Sequence, residues 1–314
     1  MKTPTEVQKG YLAEMRDKGI DRFIEKPSNI ELYFYLRSMP ARRYSLNNTF
    51  ILLNQLTSDT TRAYKIDPRS LQILSKDDWK EECAYVPEEV KPMLVWAEAD
   101  GFYGIEEVFT NRDIVIPPDV HEFIPNTLET VPIQFEQMFS AILYALRYGN
   151  LEWSDHTGKH AELPGFFSNI IIERNVLGRN GIEVDDNKRS ITIYVSSGNG
   201  REDECQHYAA KLLYELIEAY LQRLLPKESF QKSNEMQLYN EIIELAAFYS
   251  VISKGCNFKM SITNENAFIN KKDKLLVRLQ AVESLKLTID SVIEYYKKIR
   301  SDGIPSVTGG AADV

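Results

Sequence analysis

The chain has 314 residues, 43% of them apolar, 26% charged and 11% aromatic, with 37 Lys and Arg against 46 Asp and Glu. That composition is globular and excludes wholesale disorder and collagen-like or rod classes, while its apolar runs, such as Ile170 to Ile172, are too short to span a bilayer. The net charge of −9 is unevenly spread: residues 1–76 balance at +5 and the remainder at −14. This reads either as a basic segment that can meet phosphates on an acidic body, or as ordinary fluctuation along the chain.

In chain order, apolar spacing predicts a first helix over about Thr5–Ile24 and a second over Asn29–Arg37. Asn47–Gln55 reads as a third, packed by Phe50, Ile51, Leu52 and Leu53 and capped by Asn47 or Asn48. Between Met93 and Ile116, short apolar runs broken by Gly, Asp and Pro predict strands, including the run Asp113–Pro118. A connection rich in Pro and Asn follows at residues 117–132, and then a helix over about Ile133–Tyr148. The polar stretch Trp153–His160 reads as an exposed loop. Alternation on both sides of Asp185-Asp186-Asn187 predicts a hairpin over Ile182–Ser196. Helices are expected over Glu202–Leu225, ended by Pro226, over Asn234–Ser253, closed by Gly255, and over Lys272–Arg300. The fold class is α+β. Its expected parts are a mixed domain over 1–128, a mainly helical domain with a hairpin over 129–270, an amphipathic helix over 271–301 and a disordered tail over 302–314. The N-terminus has no apolar h-region, and Cys83, Cys205 and Cys256 show no CxxC spacing, so a reducing, cytoplasmic setting is expected.

Nucleotide-binding, nucleophile-elbow and HExxH motifs are missing from the sequence. His156 and His160 have the i, i+4 spacing of a metal pair, but Gly158 and the polar surroundings favour a loop. More informative is the order hairpin, helix, helix over residues 182–256. Zinc peptidases place two imidazoles on adjacent turns of one helix with a general-base Glu between them, and a third ligand, often Glu, on the next helix. Here the first helix carries Tyr214-Glu215-x-x-Glu218 and the second carries Glu244. These carboxylates also read as a solvated acidic helix face. In the first half, Arg42, Arg43, Asn47 and Asn48 could grip phosphates and base edges, with Tyr33, Tyr35, Tyr44 and Tyr64 stacking on bases. Alternatively, the tyrosines fill the core.

Together these features resemble the ArdC-type antirestriction proteins of plasmids and mobile elements, over about residues 5–255. Arg43-Tyr44-Ser-Leu-Asn47-Asn48-Thr-Phe-Ile-Leu-Leu-Asn-Gln55 is similar to that family's Tyr-Ser-x-Asn-Asn helix followed by a Gln. Residues 93–110 are similar to its paired strands. The resemblance implies an N-terminal domain that binds single-stranded DNA, with Arg42, Arg43, Tyr44, Asn47 and Asn48 as its contacts, and a zincin-like C-terminal domain. Glu215 matches the family's general base and Glu244 its third metal ligand, while Tyr214 and Glu218 stand where it has histidines. An acidic stretch, Ser75-Lys-Asp-Asp-Trp-Lys-Glu-Glu82, replaces the family's Gly- and Lys-rich strand. The expectation is therefore a phage- or plasmid-borne anti-defence protein without zinc, cofactor or peptidase activity, acting in a bacterial cytoplasm. Its partner would be single-stranded DNA or a host defence protein. The alternatives are a metal-dependent hydrolase with an unusual carboxylate site, and an acidic protein-interaction or DNA-mimic module.

Overall fold

The structure, a computed structural model, describes residues 5–58, 67–99, 102–120, 125–130, 135–154, 160–174, 181–195, 202–225, 233–256, 258 and 274–301. The fold is α+β, and the chain divides into two compact units. One is Met1–Pro132 with Ile252–Gly255 and Lys259–Lys272. The other is Ile133–Val251 with Cys256–Phe258 and Asp273–Val314. The expected tail at 302–314 lies outside the described residues, as do His121, His156 and Tyr64.

The first unit opens with three helices: α1 (Glu6–Glu25), α2 (Pro27–Ser38) and α3 (Leu46–Ser58). Thr5 starts α1 with a capping box, its side chain accepting from the Gln8 N–H while the Gln8 side chain accepts from the Thr5 N–H. Pro27, fixed in φ and lacking an N–H, stands at the first turn of α2. Gly19 brings α1 against α3: a Cβ there would lie 2.0 Å from the Phe50 carbonyl oxygen. Phe23, Tyr33, Phe34 and Phe50 fill the space between the helices with edge-on and tilted ring contacts. Strand β1 (Ile73–Ser75) leads directly into the short helix α4 (Lys76–Glu81), and β2 (Met93–Ala99) and β3 (Phe102–Thr110) form a hairpin. The sheet is antiparallel throughout, in the order β1-β3-β2. Trp79 of α4 is fully buried against Leu74, Val86 and Phe109, its indole N–H donating to the Phe109 carbonyl at 3.0 Å. The run 113–118 is not a strand: it makes one isolated bridge, Tyr85 to Val115, because prolines at 117 and 118 withhold the N–H groups a ladder needs.

The second unit begins with α5 (Phe135–Tyr148) and the pair β4 (Gly149–Ser154) and β5 (His160–Pro164). The polar stretch expected to be a loop thus contributes strand at both ends. A second sheet follows: β6 (Asn169–Arg174), β7 (Gly181–Asp185) and β8 (Ser190–Val195), in the order β6-β8-β7. The predicted hairpin is β7 and β8, while β6 runs parallel to β8. Helices α6 (Glu202–Leu224), α7 (Ser233–Ile252) and α8 (Leu275–Ser301) complete the unit. Helix α6 packs against α5 and β7, burying Leu213, Leu216, Ile217 and Tyr220. Beyond α7 the chain turns at Gly255, whose φ of 79° suits glycine. Two charged contacts are buried among the helices. Arg278 of α8 approaches Glu241 of α7 at 3.9 Å. Lys286 pairs with Asp290 and lies 5.5 Å from the ring centre of Tyr249. Among the described residues no helix is long and apolar enough to cross a membrane.

Candidate functional site

The residues expected to contact DNA lie in and just after the turn between α2 and α3, and they part into two groups. Arg42 forms a two-pronged ion pair with Glu106 of β3: Nη1 donates to Oε1 at 2.9 Å and Nη2 to Oε2. It also reaches Asp78 of α4 at 3.5 Å and stands 5.2 Å from the centre of the Tyr44 ring. The hydrogen bond to Glu106 holds the Arg42 pKa above its ordinary value. Tyr44 is 2% exposed and its hydroxyl donates to the Ile73 carbonyl at 2.9 Å. Burial pushes its pKa up, so the phenol stays protonated. Tyr33 and Tyr35 are buried as well. Arg43 and Asn47, by contrast, are exposed, and Arg43 has no ion pair among the described residues.

Asn48 has a task that its residue type alone did not indicate. Its amide nitrogen donates to the Trp96 carbonyl at 2.7 Å, and its amide oxygen accepts from the Trp96 N–H at 2.8 Å. Two turns further along α3, Gln55 does the same to Leu94, at 2.9 and 3.0 Å. Strand β2 is the edge of its sheet, and these two side-chain amides satisfy backbone groups that a further strand would otherwise pair. Neither asparagine caps α3. The Ser45 side chain does, accepting from the Asn48 N–H at 3.3 Å, because the helix begins three residues earlier than Thr49. The sequence signal for the clamp was an Asn and a Gln seven residues apart on one helix.

In the second unit, helix α6 and the start of β7 build the other candidate cluster. Tyr214 stacks on Phe258, ring centres 5.0 Å apart and planes 29° from parallel, and Phe258 in turn stacks against His207. Burial raises the Tyr214 pKa, and the charges of Glu218, Glu244 and Glu215 raise it further. Tyr214, Glu215 and Glu218 share helix α6, and Glu244 lies on α7. Glu215 is half-buried. It accepts from the Ile182 N–H of β7 and pairs with Lys211, one turn back, at 3.7 Å. Burial nonetheless leaves its pKa above the ordinary carboxylate value. Glu244 is likewise raised by burial, and Glu218 accepts from the Gln222 amide at 3.1 Å. Glu215, Glu218 and Glu244 are each partly exposed. Gly181 admits the Glu215 carboxylate: its φ is 151°, and a Cβ there would sit 3.1 Å from Glu215 Oε2. Lys211 was readable as an i, i+4 partner of Glu215, whereas nothing local in the sequence marked Gly181 or Phe258.

The donor set does not fit a zinc ion. Zinc ligands are imidazole, thiolate and carboxylate in tetrahedral array, whereas here Tyr214 and Glu218, the latter accepting from the Gln222 amide, occupy the helix positions. Among the described residues no three His, Cys, Asp or Glu are grouped to hold a metal. His160 opens β5, and its partner at 156 lies outside the described residues.

No family profile and no curated protein matches the chain. Among solved structures, the metal-free antirestriction protein ArdC from the R388 plasmid is similar at 14% identity and a TM-score of 0.47, over 90% of this chain and 98% of that one. The Mn(II)-bound structure of the same protein is similar at 13% identity and a TM-score of 0.42, over 90% of this chain and 97% of that one.

Proposed function

We propose that this protein is an anti-defence protein of the antirestriction kind that acts by binding, without catalysis, and that its first unit meets single-stranded DNA. The observation that carries the reading is the Tyr214 cluster. A helix patterned like that of a zinc peptidase presents Tyr214 and Glu218 where the chemistry would need metal-binding imidazoles, with Tyr214 stacked on Phe258. On the DNA side, Arg43 and Asn47 supply the exposed contacts. Arg42, Tyr44 and Asn48 build the scaffold that presents them.

The full-length chain should carry no stoichiometric zinc by elemental analysis and cleave no peptide substrate with zinc added. It should bind a fluorescent single-stranded oligonucleotide with an affinity that falls as salt rises, because cations on phosphates release counterions. A second reading, a host protein as partner, is favoured by the burial of Tyr33, Tyr35 and Tyr44, which removes three of the rings expected to stack on bases. Failure to bind the oligonucleotide at low salt would transfer the proposal to that partner. Zinc bound at about one per chain and lost in Glu244→Ala would overturn the non-catalytic reading itself.

A further inference from the structure

The first unit contains a cleft of about 660 Å³ that lies between helix α1, the end of α3 and the start of β2. Its size lies within the roughly 300–1,000 Å³ of small-molecule sites. Helix α1 contributes Tyr11, Met15 and Lys18, spaced four and three residues apart and hence on one face. Tyr11 is 43% exposed, and α1's rise sets it about 10 Å along the axis from Lys18. Across the cleft, Lys91 and Met93 stand at the start of β2. The wall between is organised by hydrogen bonds: the Asn54 amide donates to the Met15 sulfur at 3.0 Å, and Ser58 donates to the Asn54 amide oxygen at 3.1 Å.

An accessible phenol ring, a floor of thioethers and two lysine ammonium groups at the rim make up the chemistry that holds a base by its face and a phosphate by its charge. Two acidic groups stand against an anion. Glu107 also lines the cleft, and Glu14 pairs with Lys18 at 2.7 Å. Both members of that pair are more than half exposed, so the contact is weak and Lys18 can turn to a phosphate. An extended peptide suits the cleft less well. It would bind by adding to the edge of β2, and the Leu94 and Trp96 backbone groups there are already taken by Gln55 and Asn48.

We infer that this cleft takes a nucleotide, its base against the Tyr11 ring and its phosphate between Lys18 and Lys91. The inference rests on the DNA reading above only for the nucleotide's source, since a residue of a single strand and a free nucleotide share this chemistry. Few groups in the cleft read base edges, so the preference among bases is small.

The test uses the full-length chain and two probes, a fluorescein-labelled oligothymidylate of about twelve nucleotides and free adenosine triphosphate followed by calorimetry. Tyr11→Ala should weaken the bound probe about 5- to 150-fold, the effect of one lost stacking contact, while Tyr11→Phe should bind as the parent does. Replacing Lys18 and Lys91 together with Ala should flatten the salt slope of oligonucleotide binding by about 1.4 units. Sensitivity of the oligonucleotide alone assigns a strand, and sensitivity of the free nucleotide assigns a small-molecule site. Oligonucleotide binding that is lost in Arg43→Ala but unchanged in Tyr11→Ala overturns the cleft and leaves the DNA reading standing. Failure of both probes to bind overturns both.

Discussion

Arg42 and Arg43 are neighbours in sequence with opposite fates, which makes them a controlled pair. Arg42 and Glu106 are each about one-quarter exposed and share two charge-assisted hydrogen bonds, so Arg42→Ala strands a partly buried carboxylate. The expected cost is about 1–3 kcal/mol in chemical denaturation. Arg43→Ala removes an exposed side chain and should change stability by less than about 0.5 kcal/mol. A loss of DNA binding in Arg43→Ala is therefore interpretable, and the same loss in Arg42→Ala is not. Glu244 gives a second prediction at this scale. Burial raises its folded pKa above the unfolded value of 4.5, so the folded state binds the extra proton. Its stability contribution is fully present below 4.5 and is lost as pH rises through the raised value. Glu244→Gln should melt at a higher temperature than the parent at neutral pH, and that advantage should vanish below pH 4.5, as read from paired thermal melts.

At the scale of elements, the clamp of α3 on β2 makes the sharpest prediction. Gln55→Ala leaves the Leu94 N–H and carbonyl without their partners, which should cost about 1–3 kcal/mol. Hydrogen exchange should quicken at the Leu94 amide while the amides of β1 keep their protection. An uncovered edge should also raise concentration-dependent association. The helices were legible in the sequence because each carries enough turns for its apolar period to register: α6 and α8 were placed within a few residues at either end. Strand β6 was not, since Asn169–Arg174 finds its parallel partner β8 beyond the intervening strand β7, and a run such as Ile170–Ile172 reads alike in strand or helix. Helix α4 was missed for a similar reason. Six residues make under two turns, and its Trp79 anchor is recognisable only once Phe109 stands above it. The site was legible to the same degree. The carboxylates of α6 and α7 were picked out by order along the chain, whereas the fate of Asn48, Tyr44 and Arg42 depended on a sheet 29 to 64 residues away.

Across the whole molecule, a net charge of −9 opposes any approach by a polyanion, even where local cations favour the bound state. The two effects act over different distances. Beyond a Debye length of about 8 Å at physiological salt the repulsion is screened, while phosphate contacts at the surface persist. Stopped-flow association with an oligonucleotide should therefore quicken as salt is raised from very low values, while the complex dissociates faster; association that slows from the lowest salt upward would mean that a local positive field dominates. The clamp on β2 bears on the molecule in another way, through the order in which it is made. Gln55 and Asn48 meet strand residues 39 and 48 positions further on, so during synthesis α3 leaves the ribosome well before β2 does. The emerging strand meets a helix that already carries the two amides at a fixed interval. A slip of β2 by one residue would turn its side chains over, and a slip by two in one direction would set Pro92, which has no N–H to donate, against Gln55. The helix is in this sense a template for the strand. A circular permutant that starts at β2 and supplies α1 to α3 last would have to settle its hairpin without that guide, and misregistered chains should accumulate on refolding.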